Sequence, residues 1–247
     1  MKTRASFPGR GHTSDLIVVG AGISGSELAL HAARAGRDVL LVTTSLDTVY
    51  NLLGDGAVLS PPPGTLMREV WTEFKSERAY LSTWTMHRQA KHALEHQPGI
   101  HLLQSSVSAL RIADGSVEGV RTWEGVDRFA PRVVLAAGSF LHARLKVGEL
   151  QEAAGRLSEM AYDDLYQDLS KHGFAFAPLC LEAPSQGGSL PYTVDCCVLT
   201  GEWQADTFRL PRLHGLYGVG VCVAGFLSHE DAARQGRQLA ERLVAEA

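Results

Sequence analysis

The 247-residue sequence predicts an α/β domain built on a Rossmann-like parallel sheet. Three observations carry that prediction. Asp15-Leu16-Ile17-Val18-Val19 reads as a short buried strand and runs directly into Gly20-Ala21-Gly22-Ile23-Ser24-Gly25. A helical stretch over residues 26–35 follows, Gly36 stops it, and Asp38-Val39-Leu40-Leu41-Val42 reads as a second strand. Two later apolar segments, residues 133–138 and 215–220, also end in glycine, the second ahead of a helix predicted over 228–245.

A bare G-x-G-x-x-G hexamer also occurs in ligand-free glycine turns. Set between a strand and a helix inside a compact βαβ unit, it points to a dinucleotide. Gly20 permits the tight turn, Gly22 lets the backbone approach a pyrophosphate, and Gly25 lets the helix pack against the strand. The free N–H groups and the helix dipole then face the phosphates. Ala29 keeps the next turn small. Gly20, Ala21, Gly22, Ile23, Ser24 and Gly25 are therefore candidate cofactor-binding residues.

After the second strand, dinucleotide sites usually place an acidic residue for the ribose hydroxyls. This chain has Thr43-Thr44-Ser45 instead, weaker partners that join the candidates. No arginine follows to hold a 2′-phosphate, which disfavours NADP.

Composition narrows the rest. Hydrophobic residues make up 45%, enough for one large domain or one domain with an insertion. A formal charge of −4 argues against non-specific nucleic-acid binding. Four cysteines (Cys180, Cys196, Cys197 and Cys222) include no C-x-x-C, which fits a reducing cytoplasm and disfavours a dithiol-relay flavoenzyme. Residues 1–14 lack the apolar core of a signal peptide and read as a flexible tail. No run of 18 apolar residues suggests a membrane span.

Residues 51–64 read as a Gly- and Pro-rich loop, facing either solvent or a cofactor, and 65–97 as one long helix ended by Pro98-Gly99. That helix carries His87, His92 and His96 at spacings that make no convincing metal triad, read as exposed or partly buried. It also carries Arg68, Lys75, Arg78, Arg88 and Lys91, read as a solvated face. Residues 100–104 read as a third parallel strand. Residues 107–112, 117–122 and 126–129, separated by Asp114-Gly115 and Glu124-Gly125, read as a meander. Residues 150–174 return to helix, and 175–213 are irregular with strand-like pieces. Residues 15–247 are expected to form one domain, with a small subdomain at about 150–213 covering the site.

The glycine turn, Leu135-Ala136-Ala137-Gly138 after the meander, and Gly215-Leu216-Tyr217-Gly218-Val219-Gly220 before the last helix occur in an order that resembles flavoproteins of the glutathione-reductase type. Their fold is the FAD/NAD(P)-binding fold, a Rossmann-like parallel sheet with a β-meander crossover. The resemblance narrows to the GidA, or MnmG, family. The threonine-ended strand with Asp47-Thr48 is similar to that family's pattern. So are Ala137-Gly138-Ser139-Phe140-Leu141 with Lys146-Val147-Gly148, and Gly225-Phe226-Leu227 running into Glu230-Asp231-Ala232-Ala233-Arg234-Gln235-Gly236.

The resemblance implies FAD as cofactor, its adenosine near Thr43 and Thr44 and its flavin ring near Gly220 and the last helix. It adds Ala137, Gly138, Gly220, Gly225 and Phe226 to the cofactor-binding residues. Members of that family are more than twice as long and carry an inserted domain and a helical C-terminal region. This sequence is expected to be a short, stand-alone form. The family's cysteine-containing stretch is replaced here by Asn51-Leu52-Leu53-Gly54-Asp55-Gly56.

The implied activity is that of a flavoprotein oxidoreductase of unknown substrate, with NAD(P)H as a candidate reductant. Two alternatives stand beside it: a component of tRNA wobble-uridine modification, with tRNA as a less favoured partner, and a non-enzymatic FAD- or NAD-binding module. No catalytic residue is assigned. His229 and Cys222 are candidates by sequence position, and Glu230 and Asp231 read first as a charged helix start.

Overall fold

The computed structural model describes residues 7–9, 11–52, 57–58, 60–77, 80–183 and 190–246. Leu53 to Gly56 of the Gly- and Pro-rich loop, and Arg78 of the basic face, lie outside them.

The chain begins with β1 (Leu16–Val19), α1 (Ile23–Arg34), β2 (Val39–Thr43), β3 (Ala57–Val58), α2 (Leu66–Phe74), β4 (Tyr80–Leu81) and α3 (Thr83–His96). It continues with β5 (Ile100–Gln104), β6 (Val107–Ala113), β7 (Ser116–Thr122), β8 (Asp127–Phe129) and β9 (Val133–Leu135). Then come β10 (Arg144–Val147), β11 (Leu150–Glu152), β12 (Ala154–Arg156), β13 (Glu159–Met160), α4 (Asp163–Lys171), β14 (Ala177–Ala183) and β15 (Tyr192–Val198). It closes with β16 (Leu216–Gly218), α5 (Val221–Ala224) and α6 (His229–Ala245).

The central sheet has the order β16-β9-β1-β2-β5. Every pairing in it is parallel, with Ile17 facing both Leu40 and Val133. Parallel strands buried on both faces need apolar residues at every position, and β1, β2 and β9 meet that need. Alternate residues serve two cores. Leu16, Val18, Val39, Leu41, Val134 and Tyr217 pack under α1, α2, α3 and α6. Ile17, Val19, Leu40, Val42, Val133 and Leu135 pack against the β6-β7-β8 meander and α4. Helices thus cover one face and the expected meander the other, and β5 is the expected third parallel strand.

The helix predicted over 65–97 is two helices. Thr65 caps α2 by accepting the Arg68 amide at 3.1 Å, and Lys75 ends it in an extended conformation. The chain makes β4 against β3, then restarts at Ser82, whose hydroxyl accepts the Thr85 amide at 3.1 Å. Two local caps outweigh the continuous helical spacing.

Residues 150–174 are also not helical throughout. Gly148 (φ 57°) and Ser158 (φ 62°) turn the chain into hairpins, β10 with β11 and β12 with β13, before α4. Strands β10, β11, β14 and β15 form a separate antiparallel sheet with its own small core around Leu145, Val194 and Cys196. Of the amino-terminal stretch, Thr13 bridges Phe129, and the buried Ser14 donates its amide to the Phe129 carbonyl at 2.9 Å.

α6 crosses α1 closely. A Cβ on Gly236 would stand 2.3 Å from the Ser24 carbonyl, and the Ser24 hydroxyl donates to the Ala232 carbonyl at 2.9 Å. That crossing brings the starts of the two helices to one end of the sheet.

Candidate functional site

The glycine turn sits at the carboxyl edge of β1, where ligands bind in open α/β sheets. Gly20 has φ 111°, and a Cβ there would stand 2.3 Å from the Ala136 carbonyl. A Cβ on Gly25 would stand 2.0 Å from the Gly20 carbonyl. These two glycines serve the backbone. Gly22 does not: its φ is −69° and a Cβ would meet nothing within 4 Å. Gly22 is the N-cap of α1, no side chain caps that helix, and no acidic residue lies in its first turn. The amides there are left to a ligand.

In front of the turn lies a cavity of about 220 Å³. Gly20, Ala21, Gly22, Ile23 and Ser24 form one wall. Thr43 and Thr44 flank it, and Ala137 and Gly138 arrive from the end of β9. Gly220 and Phe226 come from the opposite side of the sheet end, with Ser228, His229 and Ala232 of the α6 start. Eleven of the fourteen candidate cofactor-binding residues, from distant parts of the sequence, thus share one cavity.

Three of them stand outside its wall. Gly25 is packed under Gly20. Ser45 closes a turn, its carbonyl accepting the Thr43 hydroxyl at 3.1 Å. Gly225 ends α5 with φ 75° and is buried.

Gly220 (φ 81°) leaves 3.0 Å between a Cβ and the Ser24 hydroxyl, and its amide donates to Gln235 at 3.2 Å. Ser228 caps α6 by accepting the Asp231 amide at 3.0 Å, so Asp231 belongs to the helix start. Cys222 is fully buried and off the cavity, its thiol pushed up to about 12 by desolvation. That placement removes it from the candidates for surface chemistry. His229 lines the cavity, and burial lowers its pKa. Burial also raises the Cys196 thiol to about 12.

Several wall residues were not among the candidate cofactor-binding residues. Thr48 and Asn51 come from the loop after β2. Arg156, Glu159 and Tyr162 come from the β12–β13 hairpin and the start of α4. Thr48 donates to Glu159 at 2.9 Å, a pairing 111 positions apart.

A second unanticipated carboxylate supports the site from behind. Glu27 on α1 is completely buried and accepts the amides of Leu66 at 2.9 Å and Met67 at 3.0 Å, the first turn of α2. Its signal was a carboxylate among the small and apolar residues of that helix, one turn ahead of His31, which stands 3.2 Å from it.

His87 is buried, against the exposed or partly buried reading, with Nδ1 2.6 Å from the Val49 carbonyl. It anchors the loop that carries Thr48 and Asn51. His92 and His96 stack on each other at 4.0 Å. Among the described residues, no group of three or more His, Cys, Asp or Glu is placed to hold a metal ion. No described helix is long and apolar enough to cross a membrane.

The site's chemistry fits an extended dinucleotide. It offers uncapped amides for phosphates, open space where Gly22 lacks a side chain, and polar side chains at both ends.

Comparison with known proteins gives the chain its family. The family described as GIDA, glucose inhibited division protein A, matches residues 15–79 and 73–181. The GidA-related protein of Thermus thermophilus superposes with a TM-score of 0.85 at 40% identity, covering 96% of this chain and 100% of that one. GidA of Aquifex aeolicus gives a TM-score of 0.77 at 15% identity, covering 94% of this chain and 66% of that one, a likeness of fold. A relative from Chlamydia caviae, named tRNA uridine 5-carboxymethylaminomethyl modification enzyme MnmG, is 29% identical over 195 residues, 69% of this chain and 32% of its own length. The chain thus spans about a third of the length of the curated relatives it matches. The fold is the FAD/NAD(P)-binding α/β fold, and the chain belongs to the GidA family.

Proposed function

We propose that the chain is an FAD-binding flavoprotein with oxidoreductase activity. The observation that carries this reading is the cavity running from the uncapped start of α1 to the start of α6, left open where Gly22 has no side chain. FAD, when bound, supplies the redox chemistry. The chain's own residues then have three tasks. The amides of the glycine turn hold the pyrophosphate. The start of α6, capped by Ser228, favours negative charge facing it. Residues at about 150–213 are read as a small subdomain that shields the cavity from water, with Arg156, Glu159, Leu181 and Tyr192 among its wall residues.

Freshly purified protein is expected to show the visible absorption of oxidised flavin, bleached by NADH or NADPH if either is the reductant. Colourless protein that takes up no added FAD would overturn the reading. Retained flavin that neither nicotinamide reduces would favour a non-enzymatic module. Four free cysteines fit a reducing compartment such as the cytoplasm.

A second reading draws on the names of relatives such as those from Chlamydia caviae and Lactiplantibacillus plantarum, tRNA uridine modification enzymes. It assigns the chain a part in tRNA wobble-uridine modification. Of the basic side chains on α2 and α3, Arg68 and Lys75 lie against the Trp71 ring and Lys91 pairs with Asp47 at 3.7 Å, a dispersed rather than focused charge. Titration with tRNA at low and high salt tests it, because phosphate contacts weaken steeply with salt.

A further inference from the structure

The glycine turn follows β1, the middle strand of the parallel sheet, so a dinucleotide held there by its pyrophosphate has one arm on each side. On the β2 side the wall offers Thr43, Thr44, Thr48 and Asn51, hydroxyls and an amide suited to a ribose. Adenosine belongs at the end of the second strand. The flavin therefore takes the other arm, beside β9 and β16. Phe140, Val219, Val221, Phe226 and Leu227 line the cavity there, an apolar lining suited to a flat ring system.

His229 enters that arm as the first residue of α6. Neither of its ring nitrogens hydrogen-bonds to a described residue, and neither is sealed from solvent as Arg156 Nη1 and Glu159 Oε1 are. Of the wall's other titratable side chains, Arg156 and Glu159 are paired with each other at 3.0 Å, burial raises the phenols of Tyr162 and Tyr192, and Glu182 is exposed. Burial lowers the pKa of His229, with the Glu230 carboxylate opposing this in part and Arg156 adding slightly to it, so the ring is neutral at pH 7. A neutral imidazole with an open nitrogen is a ready proton acceptor.

A nicotinamide reduces a flavin by transferring a hydride, two electrons with one proton, and the ring then carries a negative charge. In a cavity shielded from water that charge is balanced best by a cation close by. We infer that His229 is the proton partner of the flavin: neutral beside the oxidised ring, it takes one proton from solvent when the ring is reduced, so that two electrons and two protons are gained together. The new negative charge offsets the penalty that burial imposes on the imidazolium. This rests on the reading of the cavity as an FAD site.

The test is the pH dependence of the flavin's reduction potential, followed by its visible spectrum, in the FAD-loaded protein and in His229→Gln. Each proton gained with two electrons makes reduction about tenfold harder per pH unit, about 30 mV. The proton of the hydride accounts for one such step. Between about pH 6.5 and 7.5 the unaltered protein should lose about a hundredfold per pH unit and His229→Gln about tenfold, that is, about 60 against 30 mV. Carbon-13 NMR of histidine-labelled protein, reduced with dithionite at about pH 7, should show the His229 ring turning from neutral to charged, a readout that does not depend on the variant holding flavin. A dependence of only about tenfold in the unaltered protein, equal slopes in the two proteins, or a His229 ring that stays neutral on reduction would each overturn the inference while the flavin reading stands. A chain that takes up no FAD would overturn both.

Discussion

Tyr50 donates its hydroxyl to the buried carboxylate of Glu27, tying the loop after β2 to the helix that starts at the glycine turn. Tyr50 has φ 55°, a backbone region that bulky residues seldom occupy. Its amide is fixed to the Ala21 carbonyl at 2.8 Å, so both ends of the residue are held against the turn. Burial, then the neighbouring Glu27 charge, raises the phenol's pKa well above its ordinary value, so it stays a donor. Glu27 in turn holds the first amides of α2. One buried carboxylate therefore orders three elements around the cavity.

Removing either partner should be costly. Tyr50→Phe leaves one carboxylate oxygen short of a donor and should lower stability by about 1–3 kcal/mol. Glu27→Ala strands two helix amides and the phenol together, and should cost about 3 kcal/mol or more. Urea unfolding of the two variants checks both the order and the size. A Glu27→Ala protein as stable as the parent would show that α2 does not depend on this anchor.

The glycines of the turn should separate by phenotype. Gly22→Val adds a side chain to open space at an ordinary φ, so the protein should fold normally yet fail to retain flavin. Gly25→Val drives a Cβ into the Gly20 carbonyl and should destabilise the fold itself. Thermal melting and flavin content, measured on both, distinguish the two roles. Normal flavin content in folded Gly22→Val would contradict the placement of the pyrophosphate.

His229 should leave a signature in the pH dependence of stability. Burial disfavours its charged form most, the Glu230 carboxylate opposes this in part, Arg156 adds a still smaller disfavouring effect, and the pKa lies below the ordinary 6.5. The folded protein thus binds this proton less readily than the unfolded chain does. Stability is whole above pH 6.5 and falls as pH drops through the interval between 6.5 and the lowered folded value. His229→Gln should remove that part of the decline. Urea midpoints at about pH 7.5 and 5.5 for parent and variant give the comparison. An equal decline in both proteins would show that His229 is not its source.

The fold's centre was legible because short-range signals and tertiary demands coincide there. Residues 16–19 and 39–42 are apolar at every position, as strands covered on both faces must be. The turns at Gly20 and Gly220, the meander and the last helix were readable for the same reason. Elements set by a single cap or turn were not. Ser82 restarts a helix in the middle of a helical pattern, and Gly148 and Ser158 fold hairpins out of a stretch with helical composition.

The site divides similarly. Glycines imposed by backbone contact announce themselves by spacing. Glu27, Arg156 and Glu159 act through partners such as Leu66 and Thr48, which only the folded chain brings near. Glu159 resembles any charged residue of a surface hairpin until Thr48 is seen against it.

Equilibrium titration of flavin-free protein with FAD, followed by flavin fluorescence, tests most directly whether this cavity holds a flavin dinucleotide. The prediction is saturable binding of one FAD per chain, displaced by ADP. Fluorescence that never saturates, or FAD binding that ADP leaves untouched, would contradict it.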